Sequence, residues 1–138
     1  KLPEKNVFTW TALIAGYAKI GENQNALNSF ENMISQGIAP NEITFINILN
    51  ACRHAVSFEM GKSYFDIMKE CYGIIPEREH YTSLIDLYGK IGELDGAMAM
   101  IEKLPFNPSI SMWRTLMHSC RKWGNERLGR HSFNIAMH

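Results

Sequence analysis

The chain has 138 residues, 46% of them hydrophobic, and its 14 Lys and Arg balance 14 Asp and Glu, so the formal net charge is zero. This composition suits one globular unit or a few stacked repeats, and no apolar run approaches the roughly 20 residues that cross a bilayer. Zero net charge argues against a binder that relies on phosphate attraction alone, because such domains are strongly basic.

The charge is distributed unevenly along the chain. From Ile110 onward five cations stand against one anion, Glu126, so this end carries +4 and the segment before it carries −4. The five cations are Arg114, Arg121, Lys122, Arg127 and Arg130. Either a solvated helix face or a basic contact surface would produce this distribution, and the sequence leaves both open.

The cysteines and the N-terminus carry little chemistry. Cys52, Cys71 and Cys120 are odd in number and far apart, with no Cys-x-x-Cys pair. We therefore predict reduced, mostly buried thiols, and neither a disulfide framework nor a zinc site. The opening KLPEKN has no initiator Met and no signal-peptide layout, so we expect a piece of a longer protein whose targeting segment lies elsewhere.

Internal repetition is the dominant feature of the sequence. Four large aromatic residues recur at almost regular intervals along the chain: Trp10, Phe45, Tyr81 and Trp113. Apolar residues three, four and seven positions later complete one face of a first helix. A small residue 16 positions after each aromatic allows a second helix to pack closely. Glycine stands at offset 11, where a left-handed residue would end the first helix, except at Val56, where we expect a less regular turn.

The repeat predicts four helical hairpins and therefore eight helices. Their predicted spans are 9–20, 23–36, 44–55, 58–72, 80–91, 93–103, 111–123 and 126–137. No hairpin can bury its apolar face alone, so the predicted fold is all-α, an α-solenoid of stacked antiparallel hairpins.

These units resemble pentatricopeptide repeats. The segment NVFTWTALIAGYAKIGENQNALNSFENMISQGIAPN and its two successors are similar to the P, L and S types found in land plants, and MWRTLMHSCRKWGNERLG is similar to the E motif. The resemblance divides the chain into the tail of a preceding repeat (1–6), a P-type repeat (7–41), an L-type repeat (42–77), an S-type repeat (78–109) and a truncated E-like motif (110–138). Tetratricopeptide repeats share several columns, but their period is fixed, whereas the intervals between the four aromatic residues are unequal.

The resemblance implies that the fifth and last residues of a repeat select one RNA base. Those residues are Thr11 and Asn41 in the P-type repeat, an adenine-preferring combination, and Thr82 and Ser109 in the S-type repeat. Thr and Asn are also ordinary helix-capping residues, which is the alternative explanation. In the L-type repeat the equivalent residues are Ile46 and Glu77; Ile46 cannot hydrogen-bond a base, so no usual readout is expected there.

Two further sets of candidate RNA contacts follow from the same resemblance. Phe8 and Ile43, the second residues of neighbouring repeats, would flank the base read by the P-type repeat. The thirteenth residues would contact phosphates, and these candidates are Lys19, Lys90 and Lys122, with His54 in the same column. Cations near a helix C-terminus also complement the helix dipole without any ligand.

The implied function is sequence-specific binding of single-stranded RNA by a specificity factor for C-to-U RNA editing in a mitochondrion or chloroplast. Implied partners are MORF-type accessory proteins at the L-type repeat and a deaminase domain in cis or in trans. The chain has neither the His-x-Glu nor the Cys-x-x-Cys of a zinc deaminase, so we predict no catalysis, no cofactor and no membrane association. A protein-interaction scaffold with a tetratricopeptide-like groove remains the alternative.

Overall fold

The computed structural model describes residues 6–138, and within them eight α-helices alternate with short turns. The helices are α1 (Val7–Lys19), α2 (Asn23–Ser35), α3 (Glu42–His54), α4 (Phe58–Glu70), α5 (Arg78–Lys90), α6 (Leu94–Glu102), α7 (Ile110–Trp123) and α8 (Glu126–Ala136). All eight predicted helices are confirmed. The first helix of each hairpin begins one or two residues earlier than predicted, because its cap stands before the first apolar residue. Residues 1–5 of the predicted tail lie outside the described residues.

The chain forms two compact units, Lys1–His80 and Tyr81–His138, which divide within α5. In the first unit α1 packs against both α2 and α3, and α3 packs against α4. The ring of Phe30 on α2 lies edge-on to Phe45 on α3 at 5.5 Å and to Tyr64 on α4 at 5.0 Å. Such edge contacts add roughly 0.5–1.5 kcal/mol each to the burial of the rings, so Phe30 joins the first hairpin to both helices of the second.

The second unit has its own apolar core between α5, α6, α7 and α8. Its ten buried members are Ile85, Leu94, Ala97, Met98, Ile101, Met112, Trp113, Leu116, Cys120 and Leu128. Ala97 is the predicted small residue of its hairpin and is fully buried, as is Ala26 in the first unit. The small column therefore lies where the two helices of a hairpin approach most closely.

Burial lowers the reactivity of two of the three thiols. Cys52 and Cys120 are buried and Cys71 is exposed, and all three are free. Burial raises the pKa of the Cys52 thiol to about 12 and shifts the pKa of Cys120 upward as well. A neutral thiol is a weak nucleophile and a poor metal ligand, so these two side chains act as core residues.

The turn at Val56 keeps the geometry of the glycine turns. Its backbone φ is +51°, in the left-handed region that Gly21 occupies at +81°. The hydrogen bonds match too: Ser57 N donates to Cys52 O at 2.9 Å, as Glu22 N donates to Tyr17 O at 2.9 Å. The expectation of a less regular turn was wrong, because stacking of the hairpins imposes the turn and a β-branched residue is forced into it.

We expect Val56→Gly to stabilise the chain by about 1 kcal/mol. The substitution relieves a left-handed β-branched residue, which costs about 1–2 kcal/mol, and part of that gain is offset by the flexibility of glycine in the unfolded state. Gly21→Val is the matched control, because a Cβ at Gly21 would meet nothing within 4 Å and only backbone strain would act. In urea, the midpoint of unfolding should move to a higher concentration for Val56→Gly and to a lower one for Gly21→Val. Midpoints that move in the same direction would show that Val56 is not strained.

Candidate nucleic-acid interface

The last residue of a repeat caps the following first helix at Asn6, Asn41 and Ser109. Asn41 Oδ1 accepts a hydrogen bond from Thr44 N at 2.9 Å, and Ser109 Oγ accepts one from Met112 N at 3.2 Å. Asn6 caps α1 in the same way through Thr9 N at 3.0 Å. The candidate base-selecting position is therefore also a capping position, and the cap holds the side chain of Asn41 in a fixed orientation.

A chain of three side chains joins the two candidate base contacts of the first repeat. Thr11 Oγ1 on α1 lies 2.7 Å from Thr44 Oγ1 on α3, and Thr44 Oγ1 donates to Asn41 Oδ1 at 2.9 Å. The backbone N–H of Asn41 donates to Thr44 Oγ1 at 3.1 Å, which completes a capping box. Thr44 is fully buried and Thr11 is 8% exposed. Thr11 and Asn41 are therefore brought together, with only an edge of Thr11 open.

The single hydroxyl proton of Thr44 relates the directions of these hydrogen bonds. When Thr44 directs it to Asn41 Oδ1, which cannot donate, Thr11 is the donor to Thr44, and this is the arrangement in which both hydrogen bonds are made. Thr11 Oγ1 then retains acceptor lone pairs only. Asn41 Nδ2 makes no hydrogen bond to any described residue, since its Oδ1 alone carries the cap. The pair therefore offers a ligand one acceptor and one amide donor.

The two candidate flanking residues are open to solvent. Phe8, one helical turn before Thr11, is 76% exposed, and Ile43 beside Thr44 is 49% exposed. Both stand in the first turn of a first helix, near the Thr11–Asn41 pair in sequence. Exposed apolar side chains in this position can cover the faces of an unstacked base, which is worth roughly 1–3 kcal/mol per base when the contact is aromatic.

At the cap that follows the second repeat, a buried histidine takes the place that Thr44 has after the first repeat. Glu77 N donates to His80 Nδ1 at 2.9 Å, so the ring proton lies on Nε2, which donates to Glu42 O at 2.9 Å. His80 is fully buried, whereas Glu77 is exposed and Ile46 is half-buried. Because neither Ile46 nor His80 presents a free polar atom, the hydrogen-bonding pair of the first repeat has no counterpart here.

The candidate base contacts of the third repeat lie in the second unit. Thr82 on α5 is half-buried, and Ser109 is half-buried with its hydroxyl oxygen engaged in the cap of α7. The shorter Ser109 side chain carries no second polar atom comparable with Asn41 Nδ2. This pair is therefore poorer in hydrogen-bonding groups than Thr11 and Asn41.

The predicted phosphate contacts differ in their surroundings. Lys19 and Lys122 are exposed, with the Lys122 ammonium 5.5 Å from the ring of Trp123. Lys90 pairs with Asp86 at 3.1 Å, so its charge is partly compensated. His54 Nδ1 donates to Ala18 O at 2.8 Å and thereby closes the C-terminal end of α1. His54 is thus a cap between helices, whereas the two exposed lysines are accessible cations.

Sequence reasoning missed the residues that organise this surface. Thr44 could have been found from the pattern Asn-x-x-Thr at residues 41–44, which is a capping signal. His80 and Trp123 gave no local signal, because each bonds to a partner about one repeat away in the chain. Residues 6–138 contain no group of three or more metal-ligating side chains, and none of the helices described is long and apolar enough to cross a membrane.

We expect Thr44→Val to cost about 2 kcal/mol of unfolding free energy. Valine fills the same volume but leaves the buried Thr11 hydroxyl and the partly buried Asn41 N–H without their partner, and each loss costs roughly 1–3 kcal/mol before relaxation. Thr9→Val is the control, because the equivalent Thr9 hydroxyl bonds to Asn6 at an exposed site. Thermal unfolding should show a much larger loss of stability for Thr44→Val than for Thr9→Val. Equal losses would contradict a buried network of hydrogen bonds at Thr44.

Comparison with known proteins agrees with this geometry. The PPR repeat family matches residues 5–54 and the PPR repeat matches residues 79–106, together more than half of the chain. A chloroplastic pentatricopeptide repeat-containing protein of Arabidopsis thaliana is 42% identical over 130 residues, and a mitochondrial one is 43% identical over 132. These alignments cover 94% and 96% of this chain but only 18% and 21% of the relatives, so the chain spans about one fifth of their length.

A solved structure supports the same assignment. Maize PPR10, crystallised with an 18-nucleotide psaJ RNA element, is 25% identical to this chain and superimposes on it with a TM-score of 0.88. The match covers 97% of this chain and 20% of PPR10. It confirms the predicted all-α solenoid fold class, and the chain belongs to the pentatricopeptide repeat family.

Proposed function

We propose that this chain is a module that binds single-stranded RNA and that Thr11 and Asn41 select one base of the strand. The observation that carries the proposal is the Thr11–Thr44–Asn41 chain, which orients one acceptor and one donor at the edge of α1 and α3. Phe8 and Ile43, both exposed beside this pair, would cover the base on its two faces. The fold similarity to PPR10, which was crystallised with RNA, supports the same role.

The polarity of the pair gives a base preference. Adenine and cytosine each present an amino donor next to a ring nitrogen acceptor, which complements Thr11 Oγ1 and Asn41 Nδ2. Guanine and uracil present a ring N–H instead, which would oppose the amide of Asn41. Within the pair that fits, the family resemblance favours adenine. A stack on Phe8 also favours the larger purine surface.

The finer role that we propose is that of a specificity factor for C-to-U RNA editing. Support comes from the unequal intervals between Trp10, Phe45, Tyr81 and Trp113 and from the E-like segment after Ser109, which resemble the P, L, S and E series. In this proposal the L-type repeat (42–77) contributes to docking of a MORF-type accessory protein, and a deaminase domain acts in cis or in trans. The chloroplastic and mitochondrial relatives support an organellar location.

The scaffold alternative draws on one observation in the first unit. Phe30, Ile34, Tyr64, Ile67 and Tyr72 line an apolar surface groove of about 310 Å³ between α2 and α4. Such a groove could receive an apolar segment of a partner protein. It lies on the second helices, whereas the Thr11–Asn41 pair lies on the first helices, so one repeat array can serve both functions.

The decisive experiment exchanges the donor at Asn41 for an acceptor. Asn41→Asp keeps the capping oxygen but replaces Nδ2 with a carboxylate oxygen, so the preference should move from adenine towards guanine, whose ring N–H the carboxylate can accept. We expect a change in the adenine-to-guanine affinity ratio of about tenfold or more, since one correct hydrogen bond in place of one mismatch is worth roughly 1.5–3 kcal/mol when a charge takes part. Fluorescence anisotropy with oligonucleotides that differ at one position measures the ratio at low salt.

Asn125→Asp serves as the control for charge and capping. It adds the same negative charge at a cap of α8, a second helix outside the candidate base-selecting positions, so it should weaken all oligonucleotides alike. If both variants change the affinity for all oligonucleotides in the same way, Asn41 does not select the base. Failure of the unmodified chain to bind any of the four oligonucleotides at low salt would overturn RNA binding itself and leave the scaffold function.

A further inference from the structure

A polar groove runs between α5 and α7 in the second unit. Its volume is about 370 Å³, and Lys90, Ser111, Arg114, Thr115, His118 and Lys122 line it together with Asp86 and Ser119. On α7 the residues 111, 114, 115, 118 and 122 recur at helical spacing, so one face of that helix forms a wall of the groove.

The two helices are held together beside this groove. Trp123 Nε1 donates to Gly89 O at 2.8 Å, and the Trp123 ring lies against Gly92. A Cβ at Gly89 would collide with the side chain of Ser119, so only glycine allows α5 and α7 to approach this closely. The groove is therefore a fixed feature of the second unit.

The hydroxyl protons in the groove are already committed to the helix. Thr115 Oγ1 donates to Ser111 O at 3.0 Å, and Ser119 Oγ donates to Thr115 O at 3.1 Å. These two hydroxyls can only accept further hydrogen bonds. The donors available to a ligand are the Ser111 hydroxyl, the Arg114 guanidinium and the Lys122 ammonium, with a ring N–H of His118.

The charge balance of the groove favours an anion. Lys90 and Asp86 pair at 3.1 Å and largely compensate each other. Arg114 is exposed and forms no hydrogen bond or ion pair with any residue from 6 to 138, and Lys122 is exposed beside Trp123. Two uncompensated cations thus face a groove lined with donors, although the net charge of the whole chain is zero.

Arg114 occupies the repeat position that holds the candidate base contacts in the other hairpins. It follows Trp113 directly, so in the fourth hairpin it stands in the column that Thr11, Ile46 and Thr82 occupy in the first three. A guanidinium there presents a planar fork of donors that matches a phosphate group, whereas the neutral Thr11 presents a single acceptor. In the fourth hairpin this position therefore carries a group suited to binding an anion instead of one suited to selecting a base.

We propose that the α5–α7 groove binds the phosphodiester backbone of the RNA strand without selecting its sequence, with Arg114 and Lys122 as the charged contacts. This inference rests on the proposed RNA binding and adds to it an electrostatic anchor in the E-like hairpin. Selection at Thr11 and Asn41 and anchoring at Arg114 would then be separate functions of the two units.

The test compares Arg114→Gln with Arg121→Gln. Both variants remove one positive charge from α7, but Arg121 lines the opposite side of that helix, towards α8. Binding of the four oligonucleotides is measured between about 50 and 200 mM salt. Arg114→Gln should weaken all four alike, roughly three- to tenfold at the lower salt, and reduce the slope of log K against log salt by about 0.7, as expected for one lost phosphate contact on a single strand.

Several outcomes would overturn the proposal. Equal slopes for the two variants would show a general charge effect, and a loss confined to one base would make Arg114 a base contact. Acidic polyglutamate that binds through Arg114 while RNA binding stays independent of it would make the groove a protein-docking surface. If the unmodified chain binds no RNA, the proposed function fails first, which is distinguishable from a chain that binds RNA with an unchanged slope in Arg114→Gln.

Discussion

The hydroxyl proton of Thr44 is the constraint on which the proposed interface depends. It ties the N-terminal cap of α3 to the side chain of Asn41, and with that hydrogen bond made Thr11 on the neighbouring helix is the donor to Thr44. The same oxygen receives the Asn41 N–H. One buried atom therefore sets the orientation of both groups that would meet a base, and it does so before any ligand arrives, which lowers the entropic cost of binding.

Side chains join neighbouring first helices at their opposite ends as well. In the first unit the ring N–H of His54 caps a carbonyl in the last turn of α1, and in the second unit the indole N–H of Trp123 does the same for α5. Each of these bonds crosses a stretch of sequence close to one repeat in length. In the first unit α1 and α3 are thus joined at both ends, and in the second unit α5 and α7 are joined at their C-terminal ends. Stacked hairpins with a fixed register can present one side chain per repeat to a strand.

The helices could be predicted because their signal is local and periodic. Aromatic, small and glycine columns at fixed offsets located all eight helices to within a few residues, and the buried positions of Trp10, Phe45 and Ala97 follow from the same columns. Val56 could not be predicted correctly, since its left-handed backbone is imposed by stacking against its own residue preference. Thr44 carried a capping signal, but its bond to Thr11 is a tertiary contact that no spacing rule contains.

The site was predictable only in outline. Counting residues within a repeat nominated Thr11 and Asn41, but the division of donor and acceptor between them required the coordinates of Thr44. Likewise the cluster of cations after Ile110 was visible in the sequence, whereas the exposure of Arg114 and the compensation of Lys90 by Asp86 depend on the packing of α5 against α7. The positions of the charged residues in the sequence do not show which cations face the same groove.

The most direct measurement follows the side-chain amide of Asn41 by nuclear magnetic resonance during titration with RNA. Its two Nδ2 proton signals are identified by their absence in a variant that lacks the amide. Their chemical shifts should change and reach a plateau as an adenine-containing oligonucleotide is added, and they should change less with an oligonucleotide that contains guanine. Signals that stay in place while the rest of the protein shows binding would contradict the assignment of Asn41 Nδ2 as the donor to the base.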